Sequence, residues 1–283
     1  MCMFIFQSLV ACDDVQMHST NVVSSEADEP IKIYGNLIQG AMLTGTTYPN
    51  TEITVFKKTI TSDLNGHFVF GVGRDAPKNL TLVLSKANGK KIKKTLDIKQ
   101  RDYKTQSIEG VAKKYVSPPK KVLARIKKEN GQVWLARQNF SENSFYKEAF
   151  VMPAQGPITG VYGSQRIFNG VPKRPHFGLD VAGPVGTPVV APASGVVTLA
   201  HDDMYYSGGT LIIDHGRGIS STFIHLSKIH VEKGQEIKQG DLIGDIGATG
   251  RVTGPHLDWR VNWFNQRLDP AFFVQGYLDN VSK

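Results

Sequence analysis

Short alternating segments separated by turn residues recur through most of this chain of 283 residues, and they favour a mainly β fold. In the first third, four such segments are bounded by turns that contain Pro-Asn or Asn-Gly, and they cover residues 31–35, 52–56, 67–71 and 80–84. The dipeptide Asn65-Gly66 is typical of a hairpin tip. This spacing predicts an N-terminal β-sandwich over residues 31–105.

A second series of strand signals fills the C-terminal half of the chain. At least six short segments follow residue 150 without a convincing helix among them, which predicts a compact antiparallel β domain over residues 150–275. Residues 106–149 between the two series are rich in lysine. A helical spacing predicts a linker helix there with one narrow apolar face, formed by Val122, Ile126, Val133 and Leu135.

The charge balance narrows the classes of partner. With 33 Lys and Arg against 25 Asp and Glu, the net charge of +8 favours a polyanion such as nucleic acid, anionic lipid or an acidic cell-wall polymer. Nucleic acid is not expected, because the chain has no arginine tract interleaved with aromatics and no zinc-finger or helix-turn-helix signature. Nothing in the sequence predicts an oligomeric state.

The N-terminus indicates export. Residues 1–11 are apolar but too short to span a bilayer, and they are typical of the end of a signal peptide. The sequence Leu9-Val10-Ala11-Cys12 resembles a bacterial lipobox, which implies a lipidated Cys12 that anchors the protein to a membrane. An ordinary cleaved signal peptide or a disordered N-terminus are the alternatives, and no Lys or Arg precedes the apolar run. Residues 13–30 are polar and predict a flexible tether.

Two pairs of residues form a candidate metal site. His176 and Asp180 are four residues apart, and His256 and Asp258 are two apart, so each pair projects onto one face of an extended backbone. On neighbouring strands the two pairs would meet. His225 lies in an alternating apolar segment that could face the same cleft. The remaining histidines are interpreted as ordinary surface or core residues: His18, His67, His201, His215 and His230.

The order of several short motifs resembles the lysostaphin-like (LytM-type) zinc metalloendopeptidases of bacterial cell walls. The motifs are Gly178-Leu179-Asp180, Ala191-Pro192-Ala193-Ser194-Gly195-Val196-Val197, Ile213-Asp214-His215-Gly216, His225-Leu226-Ser227 and Gly254-Pro255-His256-Leu257. The resemblance implies that His176 and Asp180 bind Zn²⁺, and that Asp258 takes the position of the family's third ligand, which is a histidine. It also implies that His225 and His256 are catalytic and transfer protons beside the attacking water.

The resemblance implies a zinc-dependent endopeptidase that hydrolyses peptide cross-links of peptidoglycan in the cell envelope or periplasm. Asp258 adds a negative charge to the ligand set, so a weaker Lewis acid is expected, and another divalent ion such as manganese is an alternative. A catalytically degenerate module that binds peptidoglycan or activates a cell-wall amidase remains the alternative function. The turn at residues 63–68 resembles that of immunoglobulin-like modules on exported enzymes, which implies an immunoglobulin-like N-terminal sandwich.

Overall fold

The computed structural model describes residues 30–86 and 89–275. The predicted signal segment, with Cys12, and all of the tether except Pro30 lie outside these residues. Strands make up 43% of the structure and helices 11%, which confirms the predicted mainly β fold. Across the part of the chain that is described, no helix combines the length and apolarity needed to cross a membrane.

Seven strands in the N-terminal part form two antiparallel sheets. They are β1 (Lys32–Tyr34), β2 (Met42–Thr46), β3 (Glu52–Val55), β4 (Lys58–Thr61), β5 (His67–Gly71), β6 (Asn79–Ser85) and β7 (Lys91–Asp97). One sheet has the order β1-β2-β5 and the other β4-β3-β6-β7. Leu80, Leu82 and Leu84 alternate with more exposed residues along β6 and are buried. Two sheets with inward-facing alternate residues fit the predicted sandwich, and its immunoglobulin-like character stays a prediction.

The Asn65-Gly66 turn is not the hairpin tip that the sequence predicted. It joins β4 to β5, but β4 pairs with β3 whereas β5 pairs with β2, so the turn connects the two sheets. Asp63 Oδ1 accepts hydrogen bonds from the backbone N–H groups of Asn65 (2.9 Å) and His67 (2.7 Å). The prediction was wrong because the turn is shaped by these local bonds, whereas strand pairing is decided by burial in the two sheets.

Two helices follow the next strand, β8 (Thr105–Ile108): a short α1 (Lys113–Val116) and α2 (Leu123–Ala136). They confirm the predicted linker helix. Val133 and Ala136 pack against a small cluster in the C-terminal half that includes Met204. Leu135 was expected on the same apolar face but is 65% exposed, so that part of the prediction was wrong. The helix buries Glu129 instead, which accepts a hydrogen bond from the backbone N–H of Tyr205 at 2.8 Å.

Thirteen further strands form the C-terminal part. They are β9 (Ile158–Gly160), β10 (Gln165–Phe168), β11 (Val171–Pro172), β12 (Leu179–Ala182), β13 (Pro188–Val190), β14 (Gly195–Met204), β15 (Gly208–Gly216), β16 (Ile219–Leu226), β17 (Lys228–Ile229), β18 (Glu236–Ile237), β19 (Leu242–Asp245), β20 (His256–Trp263) and β21 (Gln266–Leu268). The largest sheet has the order β18-β14-β15-β16-β20-β12-β9, with β21 paired to β20. The smaller sheets are β13-β19-β17 and β11-β10-β8, in which β8 runs parallel to β10.

The side chains of the central strand β20 mark the two faces of the large sheet, one toward the core and one toward the cleft. Its odd-numbered side chains are fully buried in the main hydrophobic core: Leu257, Trp259, Val261 and Trp263. A Cβ added at Gly71 on β5 would lie 2.7 Å from Trp263 Cβ, so the N-terminal sheet packs directly behind this strand. Because side chains alternate along a strand, the even-numbered residues from His256 to Asn262 share the opposite face.

Candidate active site

The register of the large sheet brings the two predicted pairs together. Asp180 on β12 lies opposite Asp258 on β20, and Ile224 on β16 lies opposite Asp258 on the other side. His176 precedes β12 in a loop, and its backbone N–H donates to the carbonyl of Ser164 at 2.8 Å. His176, Asp180 and Asp258 are all buried, and one donor atom from each lies within 4.8 Å of the others.

Several atoms of this group are buried without a hydrogen-bond partner. Within the described residues, neither ring nitrogen of His176 has one, and neither does Asp180 Oδ1. His176 Nε2 lies 3.1 Å from Asp180 Oδ1, and His176 Nδ1 lies 3.9 Å from Asp258 Oδ2. Buried polar atoms are nearly always paired, and imidazole nitrogen and carboxylate oxygen are ordinary zinc ligands. The three residues therefore fit a divalent cation.

Both carboxylates are held in their ionised form. Burial alone would raise the pKa of Asp180, but His176 and Arg166 together outweigh it and the net direction is downward. Burial would also raise the pKa of Asp258, and there the Arg260 guanidinium and His176 together hold it well below its usual range. Ionised oxygens are the form that a cation needs.

Each carboxylate also accepts hydrogen bonds from an arginine, which the sequence analysis did not predict. Arg260 donates from Nε to Asp258 Oδ1 (2.8 Å) and from Nη2 to Asp258 Oδ2 (2.5 Å), and Arg166 Nη2 donates to Asp180 Oδ2 at 2.6 Å. The spacing of Asp258 and Arg260 was a usable signal, because residues two apart on a strand share a face.

The Arg260 pairing changes the expected charge of the ligand set. Asp258 and Arg260 together carry no net charge, as a neutral imidazole would. The added negative charge that the sequence indicated at position 258 is therefore compensated within the strand, and the expected weakening of the Lewis acid does not follow from charge alone.

Two histidines lie beside this group, and each is held by a hydrogen bond from one of its ring nitrogens. His225 Nδ1 donates to the carbonyl of Thr249 at 2.8 Å and His256 Nδ1 donates to that of Gly254 at 2.9 Å, since a carbonyl can only accept. In the neutral form of each ring, Nε2 is then the nitrogen without a proton. The ring centroids lie 5.0 Å apart, and His256 Nε2 lies 4.0 Å from Asp180 Oδ1. Burial lowers the pKa of His225 to about 3, so this imidazole is neutral near pH 7.

An irregular backbone turns His225 into the cleft. Strict alternation would place it on the face opposite Ile224, yet both residues line the cleft. His225 has a φ of 68°, and the pairing of β15 with β16 shifts register between Gly209 and Leu211. The structure thus places His225 in the cleft together with Ile224, although the strand period alone would separate the two side chains.

The site opens into a cleft of about 470 Å³. One wall is built by the linker, through Tyr115, Val116 and the α2 residues Asn130 and Val133. Further lining residues include Tyr206 and Arg251. Lys173 Nζ donates to the carbonyl of Val116 at 2.7 Å and fixes the linker to the rim. The linker is thus part of the cleft, which its sequence did not indicate.

The other histidines lie elsewhere, as expected, with His18 outside the described residues. His215 is buried between the carbonyl of Ser194 (2.7 Å) and Ser221 Oγ (2.8 Å), and burial lowers its pKa to about 4. His67 lies 3.4 Å from Asp63, and His230 lies 3.0 Å from Asp245. His201 Nδ1 accepts a hydrogen bond from the backbone N–H of Asp203 at 3.2 Å. None of these four lines the cleft.

The close approach of Gly178 to the site allows a test. A Cβ added there would lie 2.2 Å from Asp258 Oδ1 and 2.7 Å from the carbonyl of Trp259. We expect Gly178→Ala to displace Asp258 and to weaken metal binding by about tenfold or more, measured by competition with a chelator. Gly254→Ala is the matched control, because a Cβ at Gly254 meets nothing within 4 Å. Equal metal affinity in both variants would remove Asp258 from the ligand set.

This site combines imidazole and carboxylate donors with two further imidazoles beside them. Such a combination is typical of the active site of a metal-dependent hydrolase. Residues 174–270 match the family model described as Peptidase family M23. This match covers the region in which the order of the motifs resembles the LytM-type peptidases, and it supports that resemblance.

Individual relatives agree with this assignment. The chain is 46% identical over 87 residues to the peptidoglycan DD-endopeptidase ShyA of Vibrio cholerae, which covers 31% of this chain and 20% of that protein. It is 39% identical over 98 residues to the DD-carboxypeptidase/endopeptidase Mpg of Neisseria meningitidis, which covers 35% and 22%. The chain thus matches about a fifth of the length of these curated relatives.

A solved structure resembles more of the chain. A Pseudomonas aeruginosa protein described as an M23 peptidase is similar with a TM-score of 0.67 and 29% identity, over 85% of this chain and 96% of that one. The likeness therefore extends beyond the family match, into the N-terminal sheets or the linker.

Proposed function

We propose that this protein is a zinc-dependent endopeptidase that hydrolyses peptide cross-links of peptidoglycan. The observation that carries the proposal is the group His176, Asp180 and Asp258, in which the imidazole nitrogens and one carboxylate oxygen are buried without a hydrogen-bond partner among the residues that the structure describes. The M23 domain and relatives named as peptidoglycan DD-endopeptidases support the same reaction and substrate class.

In the proposed reaction His176, Asp180 and Asp258 hold the metal. A divalent ion there supplies Lewis acidity, which polarises the scissile carbonyl and makes a water more acidic. His225 and His256 take up the proton of the attacking water at Nε2 and pass it to the leaving amine. Their Nδ1–H bonds to backbone carbonyls hold both rings in the tautomer that this transfer requires.

We further propose that the protein acts in the cell envelope, where its substrate lies. The net charge of +8 favours an anionic wall, and the lipobox-like Leu9-Val10-Ala11-Cys12 supports export with anchoring through a lipidated Cys12. Zn²⁺ is the proposed ion, and Asp258 leaves room for a harder divalent ion such as manganese.

Metal analysis combined with a digestion of purified peptidoglycan tests the proposal. We expect one equivalent of metal per chain and release of uncrosslinked muropeptides. His176→Ala should abolish both, because it removes one of the three donors. His230→Ala is the control, since His230 is exposed and lies outside the cleft. A wild-type protein that binds no stoichiometric metal and leaves cross-links intact would refute the endopeptidase.

One observation favours a second candidate, a degenerate module that binds peptidoglycan or activates a cell-wall amidase. Arg260 occupies both oxygens of Asp258, which a dedicated ligand would leave free. This candidate predicts that the protein sediments with peptidoglycan, or stimulates an added amidase, without bound metal and without cutting. His176→Ala would then leave both properties intact.

A further inference from the structure

The cleft contains a buried arginine without an acidic partner. Arg137 follows α2, is 6% exposed and lines the cleft. Its Nη2 donates to Thr222 Oγ1 at 3.0 Å, and its Nε is buried with no hydrogen-bond partner in the described part of the chain. The described residues also offer it no ion pair. Burial, and then the charge of Arg267, lower its pKa.

A second arginine is connected to the first by hydrogen bonds. Arg267 on β21 lines the same cleft, and its Nη1 donates to Asn262 Oδ1 at 2.7 Å. Asn262 Nδ2 in turn donates to Thr222 Oγ1 at 3.4 Å, the oxygen that also accepts from Arg137. Arg267 likewise has no ion pair among the residues that the structure describes. Two guanidiniums are thus positioned by Thr222 and Asn262.

Two neighbouring unpaired cations in a buried place are unfavourable unless an anion joins them. The two carboxylates of the candidate metal group do not serve as that anion, because Asp258 is bound by Arg260 and Asp180 by Arg166. A guanidinium presents its N–H groups in a planar fork that matches a carboxylate.

We propose that Arg137 and Arg267 form a carboxylate subsite, which binds a free carboxylate of the peptide substrate beside the metal ligands. The inference rests on the proposed peptidase function and names its substrate class. Peptides with a free carboxylate next to the cleaved bond are preferred over peptides in which that carboxylate is an amide.

The sheet register gives the distance of this subsite from the reacting centre. Thr222 lies opposite Arg260, which is two residues along β20 from Asp258. Two residues of a strand span about 7 Å. An extended peptide covers this distance with about two residues, so the bound carboxylate belongs to a residue one or two positions from the scissile bond.

Arg137 lies outside residues 174–270, the part that matches the peptidase family. The preference for a carboxylate is thus supplied in part by the linker, which builds one wall of the cleft. This gives the linker a role in substrate selection besides connection.

A comparison of paired substrates tests the subsite. The rate constant kcat/KM is measured for cross-linked muropeptides with free carboxylates and for the same muropeptides after carboxyl amidation. We expect the wild type to prefer the free carboxylate by about tenfold to a hundredfold, as expected for charge-assisted hydrogen bonds. Arg137→Met and Arg267→Met should each reduce that preference to about threefold or less, with little change for the amide. Arg174→Met, which removes a charge from an exposed rim residue, should keep it.

Binding of N-acetyl-D-alanine and of its amide, followed by NMR titration, separates this inference from the proposed function. We expect saturable binding of the carboxylate, at least about tenfold tighter than the amide, and its loss in Arg137→Met. A protein that cuts no cross-link but shows this binding would refute the peptidase and keep the subsite. Equal cleavage and equal binding of carboxylate and amide would refute the subsite, as would Arg137→Met variants that slow both substrates equally.

Discussion

Asp258→His is expected to destabilise the protein and to lower its metal-dependent activity, although it restores the histidine that the family resemblance implies at this position. The substitution leaves Arg260 without its bidentate partner. Breaking a fully buried ion pair costs about 3–5 kcal/mol. Because the Arg260 side chain is 23% exposed, we expect a loss of about 2 kcal/mol in the free energy of unfolding. Urea denaturation measures it.

The unpaired guanidinium would also repel the cation next to it. We expect metal affinity and kcat/KM of Asp258→His to fall by about tenfold to a hundredfold, the range found when a partner of a metal ligand is removed. The double variant Asp258→His, Arg260→Gln should recover both metal affinity and kcat/KM. The unpaired guanidinium is removed, and a neutral imidazole replaces the neutral ion pair of Asp258 and Arg260.

A matched variant separates charge from ligand chemistry. Asp258→Asn keeps the shape of the side chain but leaves Arg260 unpaired, so it should lose stability as Asp258→His does. Arg260→Gln alone should leave the negative charge of Asp258 uncompensated at the site. A single variant Asp258→His that is more stable and more active than the wild type would contradict the compensation by Arg260.

The candidate site residues that the structure brings together could be expected from short-range spacing or from motif order. His256 and Asp258 share a face of β20, as their separation indicated, and β12 pairs with β20. His176 lies in the loop before β12 and not on the strand that carries Asp180, so the shared-face argument does not apply to that pair. The same rule would have placed Arg260 beside Asp258, since both are even-numbered positions of one strand.

Other features depend on contacts between distant segments and could not be predicted from local sequence. Arg166 donates a hydrogen bond to Asp180 from a different strand. β8 pairs with β10 in parallel, and this pairing holds the start of the linker against the catalytic part. The apolar positions of α2 suggested a single buried face. In the structure Val133 lines the cleft and packs against the cluster around Met204, whereas Leu135 is exposed. The segments that pack against the helix, and not its period alone, therefore decide which of its apolar side chains are buried.

The second large effect on activity is expected from the loss of His225 or His256. Both are expected to carry protons and not to bind the metal, because neither belongs to the buried donor group. The Nδ1–H of each ring is held on a backbone carbonyl, which leaves Nε2 for the proton transfer. His225→Ala and His256→Ala should therefore lower kcat by about 10²–10⁴-fold, the contribution of a general acid or base. The metal content, measured by elemental analysis, should stay at the wild-type level.

The two variants should also be strongly non-additive. The rings lie 5.0 Å apart between centroids and serve one proton transfer, so once either is missing the other has little left to contribute. We expect the double variant to lose at most about tenfold more than the worse single variant, whereas two independent contributions would multiply. His230→Ala, an exposed histidine paired with Asp245, serves as the control for imidazole loss and should keep its activity. If His225→Ala or His256→Ala loses metal in parallel with activity, that histidine is a ligand, and the division of the site into three donors and two proton carriers is wrong.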